Sequence, residues 1–325
     1  MPTLTPAEFA AHVIGTAFLG ETPVFALADG DIVIGLGDAA QKVRAHADAI
    51  LAFAVAPDGK SIITTSDDGR VVRTAVDGTV TVIAEKKGKW IDQVACGPQG
   101  AVAFAAGRMA WVALADGGLV EFPHEKAVGA VGFLPKGLRL ATATTDKARL
   151  LWVTAQGAPT EFEWKGAHTG ITTSPDGKFL VTTMQEAALH GWRIEDGRHM
   201  RMTGYPGKVK SVSWSAKGKY LATSGASAAI LWPFMSKDGP MGKAPLQLGS
   251  MSQIVTRVAC HPTEDVVAIG YDNGLILAVR FDDQAEAVLR HPDASAISAF
   301  AWDATGGRLA FGTEAGAAGI IDIRT

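Results

Sequence analysis

The stretch Trp164–Thr183, which reads WKGAHTGITTSPDGKFLVTT, decides the fold together with Ala188–Trp192, which reads ALHGW. A histidine precedes a short apolar strand, a Pro-Asp-Gly turn follows, and two further β-branched or apolar segments come after it. Short runs of this kind separated by Gly-containing turns are typical of antiparallel hairpins. The stretch therefore predicts one small antiparallel sheet.

The same order of turns and strands recurs along the chain. The turn that begins at Pro57 is followed 41 residues later by one at Pro98, and the turns at Pro135 and Pro175 are 40 residues apart. A fixed period of this length is the signature of a repeat architecture. We predict eight units that begin near residues 12, 50, 91, 128, 169, 209, 254 and 296, with seven units as the alternative.

Each unit is interpreted as four short antiparallel strands, so the fold class is all-β and residues 1–325 form a single domain. The last unit has three strands before the chain stops at Thr325, and an open sheet edge exposes unpaired backbone groups. We expect the segment Thr3–Phe9 to supply the missing strand. In the second unit, the strands are predicted at Ile50–Val55, Ser61–Thr65, Arg70–Thr74 and Val80–Ile83.

Composition excludes several classes of protein. Hydrophobic residues make up 47% of the 325 residues and charged residues 19%, which indicates a folded chain with a large core. The net charge of -3 argues against general attraction to nucleic acid or to anionic membranes. Cys96 and Cys260 have no second cysteine at metal-ligand spacing. Without a signal peptide or a long apolar window, the predicted location is the cytoplasm.

These repeats resemble the WD-repeat family, whose units carry a Gly-His pair before the first strand and a Trp-Asp pair at the end of the third. Gly166 stands two residues before His168, and three tryptophans recur at intervals of 40 residues. The chain departs from the pattern because no Trp-Asp pair ends a third strand. The blade-bracing residues that the resemblance implies are His168, Trp152, Trp192, Trp232, Thr144 and Asp146.

The resemblance to degenerate WD repeats of bacterial type implies one β-propeller of four-stranded antiparallel blades. It also implies a non-catalytic scaffold or adaptor that presents loops to another protein, and not an enzyme. The alternative is a propeller that binds a metal or a small ligand through His and acidic side chains lining its channel. Metal sites, cofactors and catalytic residues are not predicted, because no nucleophile elbow or phosphate-binding loop occurs in the sequence.

The segment Arg193–Lys219 is the candidate surface for a partner protein. It holds seven basic and two acidic residues, with methionines and one tyrosine between them. Arginine, tyrosine and methionine are enriched at protein interfaces, so we expect a protein partner and not a membrane. Nucleic-acid binding by this segment is a less favoured alternative, because Tyr205 is its single tyrosine and base stacking requires several aromatic residues. We expect the chain itself to be a monomer or a weak homo-oligomer. The predicted partner-binding residues are Arg193, Arg198, Met200, Arg201, Met202, Tyr205 and Lys208.

Overall fold

The structure, a computed structural model, describes residues 2–324. Within that range the regular structure consists of β-strands and two 3-10 turns, at Gly37–Ala39 and Pro98–Gly100, and α-helices are absent. The predicted all-β class is therefore confirmed. Because the described range holds no long apolar helix, none of its helical segments is suited to cross a membrane.

The strands are short, as the closely spaced turn signals predict, except for two of 14 residues each. Strands β1 to β10 are Thr3–Glu8, Val13–Leu19, Thr22–Leu27, Asp31–Ile34, Gln41–Arg44, Ile50–Val55, Ser61–Ser66, Arg70–Ala75, Val80–Glu85 and Gln93–Cys96. Strands β11 to β20 are Val102–Ala106, Met109–Ala113, Leu119–Pro123, Val128–Phe133, Arg139–Trp152, Thr160–Thr173, Phe179–Met184, Leu189–Arg193, His199–Met202 and Val212–Trp214. Strands β21 to β30 are Tyr220–Thr223, Ala229–Pro233, Leu246–Leu248, Val255–Cys260, Val266–Tyr271, Ile276–Arg280, Glu286–Arg290, Ile297–Trp302, Arg308–Thr313 and Ala317–Asp322.

Within residues 2–324 these strands form seven hydrogen-bonded antiparallel sheets, six of four strands and one of six. Neighbouring strands follow one another in sequence, as in a β-meander, except that β1 joins β30 at the edge of the last sheet. The number of hydrogen-bonded sheets equals the seven of the alternative prediction, and because the six-stranded sheet contains two of the predicted repeat units, the seven sheets hold eight four-stranded units.

The six-stranded sheet, β14 to β19, contains two of the predicted repeat units because β15 reverses direction within its own length. Asp146 has a φ of 73°, and beyond this turn the Val153 N–H donates to the Leu138 carbonyl at 3.2 Å. Before the turn β15 pairs with β14, and after it β15 pairs with β16. Units four and five therefore each have four strand segments, although they share one sheet.

The sixteenth strand joins these two units without a loop. Its first part, from Thr160 to Glu163, pairs with β15, and its last part, from His168 to Thr173, pairs with β17. The register shifts after Thr145 of β15 and again after His168 of β16, which marks where the strand passes from one unit to the next.

The chain divides into two compact units, called unit 1 and unit 2, which are distinct from the repeat units, first to eighth, that the sequence predicts. Unit 1 comprises the described residues up to 27, residues 33–40 and those from 202 onward; unit 2 comprises 28–32 and 41–201. Each has its own apolar core, with Tyr271 among the fully buried side chains of unit 1 and Phe104 among those of unit 2. Burial of such surface contributes about 25 cal/mol per Å². The single-domain organisation stays a prediction.

In unit 1, the N-terminal strand β1 is the outer strand of the last sheet. Thr3 lies opposite Asp322 and Glu8 opposite Ala317, over the full length of both strands. Pro6 has no N–H to donate, and an outer strand is the place where a sheet tolerates this loss.

Candidate functional site

Buried histidines brace the sheets of unit 2. In the second repeat unit the His46 side chain is 1% exposed, its Nε2 lies 2.9 Å from the Thr64 hydroxyl, and its Nδ1 lies 3.1 Å from the Asp68 carboxylate. Burial lowers the pKa of His46. Burial alone would raise the pKa of Asp68, but hydrogen bonds from the Arg70 N–H and from His46 bring it below its ordinary value.

Two further histidines repeat this arrangement. His124 Nε2 lies 2.9 Å from the Thr142 hydroxyl, and His168 Nδ1 lies 2.8 Å from the Thr182 hydroxyl. The other ring nitrogen faces a backbone carbonyl, that of Phe122 or Trp164. Burial lowers the pKa of both histidines, which keeps them neutral at pH 7. His168 therefore has the bracing contacts that the family resemblance implies for it.

In unit 1 a tyrosine occupies the corresponding place. The Tyr205 side chain is 8% exposed, its hydroxyl lies 2.6 Å from the Thr223 hydroxyl, and it accepts a hydrogen bond of 2.6 Å from the Trp232 indole N–H. Burial raises the pKa of the Tyr205 phenol to about 12, so the hydroxyl stays protonated. Tyr205 is part of the interior and does not present a contact surface to a partner.

The predicted bracing tryptophans differ in their positions. Trp192 is 2% exposed and packs against Phe162, and Trp232 is 9% exposed. Trp152 is 39% exposed and lies at the surface under the Arg139 guanidinium, 4.6 Å from its carbon. The tight turn within β15 shifts the register, so Trp152, the first tryptophan of the regular series, is not an interior residue.

Thr144 and Asp146 have local partners and do not contact a histidine. The Thr144 hydroxyl lies 3.3 Å from the carbonyls of Thr145 and Lys147. Asp146 accepts from the Gly166 N–H at 3.0 Å and pairs with Lys126. The resemblance implied that both residues brace a blade through His and Trp; Thr142, two residues earlier, makes that histidine contact instead.

The predicted partner-binding residues are divided between interior and surface. Met200 is 2% and Met202 0% exposed, since alternate side chains of β19 point into the core. Arg193 forms an ion pair with Asp196 and so does not offer a free charge. The members of the predicted set that lie exposed are Arg198 and Arg201 in unit 2 and Lys208 in unit 1.

A cluster of aromatic rings surrounds His190 in unit 2. This histidine is 0% exposed, and its ring stacks on Trp164 at a centroid distance of 3.8 Å. His199 lies next to both rings, with its centroid 5.3 Å from that of His190 and 5.1 Å from that of Trp164. Within residues 2–324, neither His190 nitrogen has a hydrogen-bond partner, and burial lowers its pKa to about 3. No group of three or more metal-binding side chains occurs in the same range.

The most exposed large apolar side chain of unit 2 is Trp90, which is 75% exposed. It follows a turn that backbone hydrogen bonds hold in place: the Lys86 N–H donates to Gly69 at 2.7 Å, and the Lys89 N–H donates to Lys86 at 3.1 Å. The next residue, Ile91, is fully buried and donates to the Ser66 carbonyl. The backbone on both sides of Trp90 is thus fixed while its indole faces solvent.

Lysines surround this tryptophan. Lys87 and Lys89 are exposed, and their ammonium groups make no ion pair with any residue of the described range. Lys86 is less exposed because it lies 3.4 Å from the Glu121 carboxylate and 4.8 Å from the Trp111 ring. We call residues 86–90 the Trp90 turn. Sequence reasoning missed it, although Lys-Lys-Gly-Lys-Trp places an aromatic residue among three basic ones.

Comparison with known proteins adds three findings. The family model described as "WD domain, G-beta repeat" matches residues 37–72 and 198–232. WD repeat-containing protein 1-B of Xenopus laevis is 32% identical over 77 residues, which are 23% of this chain and 13% of that protein. The crystal structure of the computationally designed Ika8 protein is 16% identical with a TM-score of 0.78, and the match covers 97% of this chain and 98% of that one.

Taken with the antiparallel sheets, the structural likeness over nearly the whole chain shows a β-propeller fold. The chain has a β-propeller fold, and two of its segments, residues 37–72 and 198–232, are similar to WD repeats. It spans about an eighth of the length of the Xenopus relative, since the match covers 13% of that protein, so the relative's activity does not transfer directly.

Proposed function

We propose that this protein is a non-catalytic interaction scaffold that binds another protein through the Trp90 turn. WD-repeat proteins generally bind other proteins, which supports the class of function. The single observation that carries the proposal is the 75% exposure of the Trp90 indole on a turn with a fixed backbone.

Burial of a solvent-exposed tryptophan in a complex contributes favourably to the free energy of binding. Tryptophan is among the residues that dominate protein interfaces, where truncation to alanine typically costs about 2 kcal/mol or more. The hydrogen bonds around Lys86 and Ile91 hold the turn before a partner arrives, so less conformational entropy is lost on binding. Lys87 and Lys89 favour a partner with an acidic rim around the pocket for the indole.

The charge around the turn favours a protein over a membrane. Lys87 and Lys89 are the two unpaired cations of the turn, and each basic residue near an anionic membrane contributes about 1 kcal/mol. The Trp90 turn also lies against the Asp67–Gly69 turn, which carries two carboxylates that anionic lipid repels. Single-stranded nucleic acid is disfavoured for the same reason and because it requires several stacking aromatic residues.

The exposed residues Arg198, Arg201 and Lys208 remain proposed contacts for a partner, without the buried members of the predicted set. A cytoplasmic location and a monomeric or weakly associated state also remain proposals.

The test compares Trp90→Ala with the wild-type protein and with Trp152→Ala, an exposed tryptophan elsewhere in unit 2. Each purified protein is used to capture partners from cells of its natural source, and each captured partner is then purified and titrated against all three proteins. We expect Trp90→Ala to weaken the affinity at least tenfold, and a Lys87→Glu, Lys89→Glu double variant to slow association at low salt.

Thermal unfolding of the variants accompanies these titrations, and we expect unchanged midpoints because Trp90 supports no core contact through its exposed indole. Equal affinity of wild type, Trp90→Ala and Trp152→Ala for every purified partner would refute the proposal, as would a failure of the wild-type protein to capture any protein in stoichiometric amount.

A further inference from the structure

A groove lies between the two sheets that flank the Trp90 turn, and it extends from the opposite edge of these sheets to Glu85, the residue just before the turn. The Trp90 turn connects β9 to β10, whereas the groove is lined by connections between the first and second and between the third and fourth strands. In an antiparallel meander these connections lie at the other edge. The groove has a volume of about 550 Å³, and an adjoining cavity of about 350 Å³ shares Arg73, Gly100 and Val102 with it.

The groove exists because one of its walls is made of small residues. The connection between β12 and β13 contributes Ala115, Gly117 and Gly118, and the end of β12 contributes Ala113. The facing wall is β9, from Ile83 to Glu85. The space is open to solvent, and a volume of about 550 Å³ is sufficient for a short segment of another chain.

The Arg73 side chain is central because both cavities share it. Arg73 lies opposite Ile63 on β7. The next residue, Thr74, occupies the position that Trp192 occupies in the fifth repeat unit, because each of the two lies opposite the second residue of the preceding strand. Adjacent strand residues face opposite sides. Arg73 therefore faces the neighbouring sheet and the groove.

The Arg73 guanidinium has no hydrogen bond or ion pair to any residue in the described range. The two carboxylates near it are engaged elsewhere. Glu85 lies 3.5 Å from Arg70 Nε, and Asp58 accepts from the Lys60 N–H at 2.9 Å within its own turn. Although Glu85 and Asp58 line the same two cavities, the Arg73 guanidinium has no partner of its own among the described residues and offers planar donors suited to a carboxylate.

We propose that this groove binds an extended peptide segment of a partner protein, with one acidic side chain held by Arg73 and apolar neighbours beside it. Val102 forms the apolar floor, and the exposed Leu119 and Ile83 form the sides. Charge complementarity selects an acidic segment, and the run of the two adjoining cavities, from Asp58 and Cys96 to Leu119, suits an extended chain. Residues 86–90 of the Trp90 turn do not line this groove, although Glu85 adjoins them, and the site goes beyond the proposed function.

The experiment selects a phage-displayed library of random twelve-residue peptides against the intact protein. We expect enriched peptides to share an Asp or Glu beside an apolar residue. Synthetic copies are then titrated against wild type, Arg73→Gln, Leu119→Asp and Trp90→Ala. Arg73→Gln and Leu119→Asp should each weaken binding at least tenfold, whereas Trp90→Ala should leave it unchanged. Leu119 is exposed, and the half-buried Arg73 side chain makes no hydrogen bond within residues 2–324 that its replacement would break, so both variants should fold.

Three results overturn this site: a lack of enriched peptides, enriched peptides without a shared acidic residue, or peptides whose affinity survives both Arg73→Gln and Leu119→Asp. Peptides that lose affinity with Trp90→Ala alone would likewise overturn it while supporting the proposed function. If the peptides bind Trp90→Ala as tightly as wild type but bind Arg73→Gln more weakly, the groove is supported as the peptide site. This conclusion does not depend on whether the Trp90 turn binds a partner.

Discussion

The hydroxyl of Tyr205 lies 2.6 Å from both the Trp232 indole nitrogen and the Thr223 hydroxyl. Thr223 in turn donates to the Ile230 carbonyl at 2.9 Å. One phenol therefore connects the strands β21 and β22 with the segment that precedes β20. In unit 2 a histidine makes the equivalent contact to a strand threonine, so two different side chains meet the same structural need.

Replacement of Tyr205 by phenylalanine removes this hydroxyl and leaves the buried Trp232 N–H without an acceptor. We expect the free energy of unfolding to fall by about 1 to 3 kcal/mol. Urea denaturation of the Tyr205→Phe variant measures this change, and Tyr220→Phe, at a half-buried tyrosine of unit 1, is the control. An unchanged midpoint for Tyr205→Phe would show that the hydrogen bonds do not contribute to stability.

The neutral His190 ring makes stability depend on pH. Its pKa is about 3 in the folded protein, because of burial and the nearby charges of His199, His168 and Arg201, against 6.5 ordinarily. The unfolded chain takes up this proton below pH 6.5 and the folded one does not. Stability contributed by the neutral ring is therefore present above pH 6.5 and is lost as the pH falls towards 3.

A His190→Phe variant should remove this dependence and also the two buried nitrogens that lack partners. We expect it to be at least as stable as wild type at pH 7 and more stable by about 2 kcal/mol at pH 4.5. Urea denaturation of both proteins across pH 4.5 to 7.5 is the measurement. Parallel curves for the two proteins would contradict a buried, neutral His190.

Exposure of the Trp90 indole predicts how the protein's fluorescence is quenched. Of the eight tryptophans in the sequence, Trp90 is 75% exposed and directly follows the exposed lysines Lys87 and Lys89. We expect iodide to quench it more strongly than caesium, because the lysines attract the anion. In a Trp90→Phe variant the iodide-accessible fraction should fall, and the difference between the two quenchers should shrink. Equal quenching of variant and wild type would place this indole in the interior.

The conformation of the Trp90 turn depends on Gly69, which packs closely against it. Gly69 has a φ of +80°, and a Cβ on it would lie 2.5 Å from the Lys86 carbonyl oxygen. Gly69→Ala should therefore displace the turn, lower the free energy of unfolding by about 1 to 3 kcal/mol and weaken partner binding without a change to Trp90 itself. Gly88→Ala is the control for backbone strain alone, since nothing lies within 4 Å of the Cβ that it would add. Partner affinity unaffected by Gly69→Ala would argue against a preformed turn.

The sequence predicted the repeat and the strand order because turn chemistry and strand alternation are local properties. The predicted second unit agrees closely with β6 to β9, whose bounds are Ile50–Val55, Ser61–Ser66, Arg70–Ala75 and Val80–Glu85. Trp152 shows the limit of this reasoning. Its spacing of 40 residues from Trp192 is regular, but the two-residue turn at Asp146 shifts the pairing and brings the ring to the surface.

The candidate surface was harder to predict because exposure depends on contacts between distant segments. Met200 and Tyr205 have the composition of an interface, yet the neighbouring strands bury both. Trp90 has the composition of a core residue, yet the turn from Lys86 to Lys89 directs its indole into solvent. Residue type alone therefore predicts the wrong exposure for these three side chains, because neighbouring strands and hydrogen-bonded turns determine which of them reach solvent.

The uninterrupted strand β16 has a consequence for motion. Elsewhere a connecting segment can absorb a small rotation of one sheet against the next. Between units four and five, β16 hydrogen-bonds to both neighbours, with register shifts at Thr145 of β15 and at His168 of β16. These two units should therefore open together, and their amide hydrogens should exchange with solvent as one cooperative group.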